Sequence, residues 1–525
     1  MKNNKQDTWI IGFILCLAVG LTMISFYIDT DIMWHFKTGE YIWQHKAIPK
    51  GDVFSWHKNL NWMCHEWLYD IFLYLIYNGL GLSGMKILLG IAFISAMGIA
   101  YWYNRNKIYY PILYILFTTY MMCVLFIRQS SDCARPSEFS ILIFMVLAVI
   151  ITEERKGMYW ISGLLSVLYA NIHGGSIMQI ILLPALCIFA DLISCFIKGN
   201  IEVKKIKCYL ILMIIMFIAS CINPYGITVY KYTTDNFLSA KYINSHIQEW
   251  SYTILTILKV IPCVGLCICI GASKKFKEVE QVTFRKTIII AAFLCQGLTV
   301  RRMMFPATCV LMMFGYEFLE EYMKIILEHW HEKFDLKSAF TESTKRFVNI
   351  CGTIVLLVCM AVGIIYFSNA GHYTSYKDAA NEKYQDMVEG IQYMKDNNIT
   401  GKIMNRYNYG GLFILNDMKT FVDPRCDPFM EAFSNVTVMT DYCKFTDCKE
   451  MSILESWNKL NKKYQFDYLY IDKDTFGKNL LTCLNMEKDP PKTLFENDGV
   501  AILQLKNHLR TKAGILGYLY PSSSQ

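Results

Sequence analysis

Charge is what this sequence has least of. Only 18% of its 525 residues are Asp, Glu, Lys or Arg, against about 25% in an ordinary soluble domain. With 54% hydrophobic residues and a mean hydropathy of +0.28, the chain is neither disordered nor collagenous. No CxxC pair brackets a His or Cys cluster, which excludes the usual zinc spacings. Gly410-Gly411 lacks the spacing of a dinucleotide loop or P-loop. Internal repeats are absent, and the one low-complexity tract is the Ser-rich tail after Pro521. Cysteine is not scarce, at 19. Most of these residues, such as Cys16, Cys123, Cys187, Cys263, Cys267, Cys269, Cys295 and Cys359, sit inside apolar runs and act as small hydrophobes. Cys426, Cys443, Cys448 and Cys483 lie in a polar region and leave one disulfide open, with no pairing assigned. The net charge of +7 is not interleaved with exposed aromatics, so nucleic acid is not an expected partner.

What is abundant is long apolar runs. The first covers residues 9–28, and twenty residues at 1.5 Å rise span a hydrocarbon core. It has no small-residue cleavage site, so it reads as an uncleaved first span. Further candidate spans fall at about 85–103, 108–127, 136–152, 158–172, 175–197, 207–222, 252–271, 286–300, 303–322 and 348–368. The expected fold class is a polytopic α-helical membrane protein with about eleven transmembrane helices. Trp67–Leu82 is short and carries Asp70 and Asn78. It fits an amphipathic helix lying in the outer interface better than a span.

On that count the basic clusters fall on one side. Arg105, Lys107, Arg155, Lys156, Lys204, Lys205, Lys207, Lys274, Lys275, Lys277, Arg285, Lys286, Lys345 and Arg346 all lie in loops expected inside. The N-terminus, with Lys2 and Lys5, is then cytoplasmic. The protein is expected in the cell membrane as a multi-pass chain. Residues 1–370 form the membrane domain, with a first outward loop at 29–84. Residues 371–525 form an extracytoplasmic α/β domain. In it, Tyr376–Asn397 and Met451–Tyr464 have helical spacing. Lys402–Asn405, Leu412–Leu415, Thr420–Val422, Tyr468–Ile471 and Val500–Leu505 read as strands.

The polar residues at the outer ends of these spans carry the chemistry. The first outward loop opens with Asp29-Thr30-Asp31 and His35, and continues through His57, His65 and Glu66. Arg128, Arg135, His173, Glu249, Arg301 and Arg302 follow in later outward loops. Such a set suits attack by an acceptor on a lipid-linked sugar. A carboxylate takes or orients the acceptor proton, and arginine forks grip the departing phosphate. Each residue also has a plainer reading. Asp29 or Asp31 can cap the following helix. His35, four residues after Asp31, shares its helical face, which suits a hydrogen bond or, with Asp31, part of a divalent-cation site for Mg or Mn. His57 among Trp56, Trp62 and Trp67 fits interface anchoring. Arg128 and Arg135 can snorkel to headgroups. His173 can cap the turn at Gly174-Gly175, and Asn223-Pro224-Tyr225-Gly226 reads as a turn. Arg301-Arg302 lies between two apolar runs, a placement that is usually functional. Asp423, Arg425 and Asp427 fit loop salt bridges better than a binding site.

The layout resembles that of the GT-C superfamily, the integral membrane glycosyltransferases that use polyprenyl-phosphate or polyprenyl-diphosphate sugars. The shared features are an Asp-x-Asp just after the first span, an amphipathic helix in that loop, about eleven spans and a trailing extracytoplasmic domain. More narrowly, certain strings are similar to a poorly characterised family of bacterial polytopic proteins. These are Asp29-Thr30-Asp31-Ile32-Met33-Trp34-His35-Phe36-Lys37-Thr38-Gly39, Ile48-Pro49, Asp52-Val53-Phe54-Ser55, His65-Glu66-Trp67-Leu68, Asn171-Ile172-His173-Gly174-Gly175, Asn223-Pro224-Tyr225-Gly226, Tyr409-Gly410-Gly411 and Asp423-Pro424-Arg425.

The resemblance implies that Asp29 or Asp31 is the catalytic carboxylate. Thr30 separates the two acids where GT-C members often have them adjacent, so the choice between them stays open, as does a metal. The expected activity is transfer of a sugar from a polyprenyl-(di)phosphate donor to a cell-surface glycan, lipid or protein acceptor. His35, His65, Glu66, Arg128, Arg135, His173, Glu249, Arg301 and Arg302 would contact substrate. The rival readings are a transporter or flippase for lipid-linked saccharides, and a non-catalytic assembly protein.

Overall fold

The computed structural model describes residues 10–18, 29–129, 135–198, 203–239, 281–299, 303–323, 376–448 and 452–505. The chain divides into two compact units. One comprises Met1–Tyr27 with His65–Tyr373, the other Ile28–Cys64 with Thr374–Gln525.

The first unit is built of apolar helices. After the helical residues 10–18 come Trp67–Asn104, Pro111–Gln129, Pro136–Thr152, Met158–Ile172, Met178–Lys198, Val203–Ser220, Thr228–Leu238 and Gln281–Thr299. Met304–Val310 follows and runs on through a π-helical turn, Leu311–Gly315. Among the described residues two stretches are long and apolar enough to cross a membrane, Ser83–Asn104 and Gly174–Phe196. Pro111–Met122, Pro136–Thr152 and Met158–Ile172 are apolar but shorter. The expected spans at 252–271 and 348–368 lie outside the described residues.

Trp67–Asn104 is broken at Gly81, whose φ of 58° and ψ of −148° are essentially open to glycine alone. The break separates the Trp67–Leu82 stretch from the longer apolar piece.

Arg285 and Lys286, expected in a loop, lie inside the helix Gln281–Thr299 and are buried. Arg285 reaches both oxygens of Asp191 at 2.7 Å and Glu154 at 2.7 Å. Lys286 and Lys107 each lie 2.8 Å from Glu317. Charges so deep in an apolar bundle are held by being paired.

In the second unit a four-stranded sheet runs β1 (Ile403–Met404), β2 (Tyr468–Asp472), β4 (Val500–Gln504), β3 (Lys492–Glu496). β1 and β2 are parallel. β4 is antiparallel to both β2 and β3. Trp457, Leu480 and Leu484 are buried on the helices Ile453–Tyr464 and Thr475–Asn485. Leu412–Leu415, expected as a strand, belongs to the helix Gly410–Leu415. A short run that is apolar on every side has no period that separates strand from helix. Thr420 makes only an isolated parallel bridge, with Ser55. β3 escaped the sequence reading because its side chains are mostly exposed or half-exposed and charged at both ends. Cys426, Cys443, Cys448 and Cys483 are all unbridged.

Residues 29–64 are stitched into this unit. Thr420 N donates to Phe54 O, and Trp56 N donates to Thr420 O. The Trp56 indole donates to Ile403 O at 3.0 Å. Asn61 and Ser434 exchange hydrogen bonds. Trp56, Trp62 and His57, expected as interface anchors, instead pack with aromatic residues inside this unit. His57 Nε2 donates to Phe421 O at 2.9 Å, and its ring lies among Trp56, Phe421, Phe429 and Tyr464.

Arg425 is buried between Asp423 and Asp52. Its Nε and Nη2 donate to Asp423 at 2.7 Å, and Nη1 lies 2.7 Å from Asp52. Phe54, Trp62 and Phe429 surround the guanidinium.

Burial holds the His57 imidazole below its ordinary value, because a charged ring would be desolvated there. The Asp52 carboxyl is also lowered. Burial opposes ionisation, but the Arg425 charge and the bonds from Ser55 and Phe54 outweigh it. Both folded values lie below the unfolded ones, so both groups contribute stability that is present at high pH and lost on acidification. Unfolding followed by tryptophan fluorescence is therefore expected to show a first loss of stability as pH falls below about 6.5, and a second below about 4. His57→Asn should shrink the first step and leave the second. A first step of unchanged size in that variant contradicts the assignment.

Candidate active site

In the first unit the structure gathers His65, Glu66 and His173. Glu66 opens the helix Trp67–Asn104 and is buried. His173 terminates the helix Met158–Ile172, with its N–H on Tyr169 O. Glu66 Oε1 lies 3.6 Å from His173 Nε2 and 3.9 Å from His65 Nδ1. Hydroxyls also reach the ring nitrogens. His173 Nδ1 is 2.9 Å from Ser140 Oγ and its Nε2 is 3.1 Å from Ser176 Oγ. His65 Nε2 is 2.9 Å from the Tyr232 hydroxyl. One carboxylate thus stands between two imidazoles, close enough for charge attraction but beyond direct hydrogen-bond distance of either.

The string Asn171-Ile172-His173-Gly174-Gly175 has a local reason. Asn171 accepts from the Trp67 indole at 3.0 Å and donates to Ile222 O at 2.9 Å. It thereby ties the start of one helix to the ends of two others. Gly174 N donates to His65 O at 3.1 Å. A Cβ on Gly175 would stand 3.0 Å from His65 Cε1, so the glycine leaves room for the imidazole. Arg135 occupies the position just before the helix Pro136–Thr152, without a side-chain capping bond, and is buried, as is Glu138 one turn on. Asn223-Pro224-Tyr225-Gly226 is a turn, closed by Asn223 Oδ1 accepting from Tyr225 N at 2.8 Å.

The second unit holds Asp29, Asp31 and His35. The helix Thr30–His45 starts here because Asp29 is extended and its side chain accepts from Asp31 N at 3.3 Å, as an N-cap does. Asp29 is therefore a cap. Asp31 sits in the first turn, where the helix dipole favours a negative charge. Both acids are half-buried. His35 is buried and stacks on Trp34 with centroids 3.6 Å apart. Among the described residues no group of three or more His, Cys, Asp or Glu side chains is placed to hold a metal ion.

The sequence-derived residues thus fall into two groups, one in each unit. The backbone of Arg128 lies in the helix Pro111–Gln129, but its side chain is outside what the structure describes. Glu249, Arg301 and Arg302 also lie outside the described residues. Ser140, Ser176 and Tyr232 were missed. Single hydroxyls, one on an apolar helix, one in a 3-10 turn and one on a polar helix, carry no signal until folding places them against a histidine.

No protein-family model matches the chain, and no curated protein matches it.

Asn171→Leu strips partners from the Trp67 N–H and the Ile222 carbonyl. Both bonds are only part-buried, so the expected cost is about 1 kcal/mol for each bond lost. Thermal unfolding of the detergent-solubilised protein reads it. A melting temperature equal to wild type contradicts the tie.

Proposed function

We propose that this chain is a membrane glycosyltransferase of GT-C type. It would transfer a sugar from a polyprenyl-(di)phosphate donor to an extracytoplasmic glycan, lipid or protein acceptor. The observation that carries the reading is the half-buried Asp29-Thr30-Asp31 turn at the head of the helix Thr30–His45. This turn follows the first apolar run, where the resemblance puts the catalytic carboxylate. Apolar helices in the first unit support a membrane setting.

In this reading an acceptor hydroxyl or amide attacks the anomeric carbon, and Asp29 or Asp31 takes its proton. The bond from the anomeric carbon to the phosphate oxygen breaks, and the electron pair leaves with the polyprenyl phosphate. A single base opposite a phosphate leaving group implies inversion at that carbon. Arg128, Arg135, Arg301 or Arg302 would hold the departing phosphate, since a planar fork binds two of its oxygens. His65, Glu66 and His173 would line the sugar site. The fuller topology belongs to the same proposal. It comprises about eleven spans, a cytoplasmic N-terminus and an extracytoplasmic C-terminal domain.

A transporter or flippase draws on one observation, the buried Asp191–Arg285 pair within helices of the first unit, because such charges often mark a substrate path. Transfer assays with a purified lipid-linked sugar separate the two. Replacing the catalytic aspartate by alanine should lower turnover by at least ~100-fold, the scale of a lost general base. The other alanine variant should fall less. Full transfer by both variants rejects the enzyme reading at this site. For the topology, alkaline phosphatase fused after Gln525 is expected to be active. A silent phosphatase beside a fluorescent cytoplasmic reporter at the same position contradicts it.

A further inference from the structure

The string Tyr409-Gly410-Gly411 binds no phosphate-loop ligand by its spacing, yet it occupies a constrained place in the second unit. The helix Gly410–Leu415 packs on the helix Thr30–His45. A Cβ added to Gly411 would collide with the carbonyl oxygen of Thr30 and stand 3.0 Å from the Thr30 Cβ. One added to Gly410 would stand 2.6 Å from Asp423 Cα and 2.7 Å from Val422 O. Neither glycine has a positive φ. Close approach, not backbone conformation, is what requires them. The first turn of this short helix is thus wedged between the acidic turn on one side and Val422-Asp423 on the other.

The backing of the wedge is firm. Asp423 receives two 2.7 Å bonds from Arg425 and one of 2.9 Å from Thr420 Oγ1. Asn405 accepts from Phe421 N at 2.7 Å and donates to Val422 O at 2.8 Å. Arg425 also holds Asp52. Beyond the wedge, Lys37 on the helix Thr30–His45 lies 2.6 Å from Asp417. A continuous line of contacts therefore runs from the buried Arg425 through Asp423, Gly410 and Gly411 to Thr30, the residue between the two acids.

We infer that Gly411, backed by the Asp423–Arg425 pair, is a positioning residue that sets the Asp29-Thr30-Asp31 turn for glycosyl transfer. The role in transfer rests on the function proposed above. The positioning itself does not.

The test uses the full-length protein in lipid nanodiscs, with Gly411→Ala and, as control, Gly98→Ala, whose added Cβ meets nothing within 4 Å. Hydrogen exchange and transfer from a purified polyprenyl-phosphate-linked sugar are both read. In Gly411→Ala the amides of residues 31–36 are expected to exchange at least ~10-fold faster, while those of β2 and β4 keep their protection, because opening is local. Turnover per folded molecule should fall at least ~10-fold with the acceptor KM unchanged, the mark of lost transition-state geometry. Gly98→Ala should match wild type in both. Unchanged exchange at 31–36 with β2 and β4 protected overturns the inference. So does selective opening without loss of turnover in an active enzyme. If β2 and β4 also open in Gly411→Ala, Arg425→Lys is read by the same criteria, since a lysine cannot reproduce the two-pronged grip on Asp423. Faster exchange in the variant of a protein whose wild type transfers nothing rejects the glycosyltransferase reading and leaves the positioning intact.

Discussion

A buried guanidinium shared by two carboxylates organises the second unit. Arg425 is enclosed by aromatic rings and reaches Asp423 near by in sequence and Asp52 near the other end of the chain. Burial works against its charge, but the two aspartates more than compensate and hold it protonated. Removing one partner of such a group leaves a charge stranded in a dry interior, at a typical cost of about 3–5 kcal/mol. The interaction therefore holds the 29–64 segment to the C-terminal sequence, and with it the helix that carries Asp29 and Asp31. An acidic pair that sequence order assigns to a membrane loop is a component of the second unit.

The first unit solves a different problem with similar means. Its apolar helices satisfy their own backbones, so only the residues at helix ends need outside partners. Among the described residues, the polar side chains Glu66, Asn171 and His173 gather at such ends. Asn171 joins three helix termini, and Glu66, His65 and His173 meet beside it. The Arg285–Asp191 and Lys286–Glu317 pairs show that charge is admitted into the bundle where it is matched. Residues with chemical potential thus sit where the fold already requires polar groups, which is why each has a structural and a functional reading.

Much of this was legible in the sequence, and the limits are physical. Apolar runs gave the helices from 136 to 198 nearly to the residue, because length and hydropathy decide a helix in an apolar bundle. Asp29 was readable as a cap, since the N-cap bond is local. The His65-Glu66 and His173-Gly174-Gly175 strings stood out as polar groups between apolar runs. What escaped was long-range. His57 and Phe421 are 364 positions apart, and nothing near His57 distinguishes an interfacial tryptophan cluster from the core of a discontinuous domain. Gly410-Gly411 resembled a ligand loop only in composition. Its purpose is visible once Thr30 lies against it. The Leu412–Leu415 run failed for want of a period, and the two loop-assigned cations failed because the acids that hold them, Asp191, Glu154 and Glu317, lie far away in sequence.

In the proposed function, an acidic turn held by contacts within the second unit acts on a lipid-linked sugar. The most direct measurement is an electron cryomicroscopy map of the full-length protein in nanodiscs with a non-transferable polyprenyl-phosphate sugar analogue. The account predicts density for the sugar headgroup within hydrogen-bond reach of Asp29 or Asp31, with its phosphate on arginine. A headgroup bound away from both aspartates, with its lipid lying along the Asp191–Arg285 pair, would contradict it.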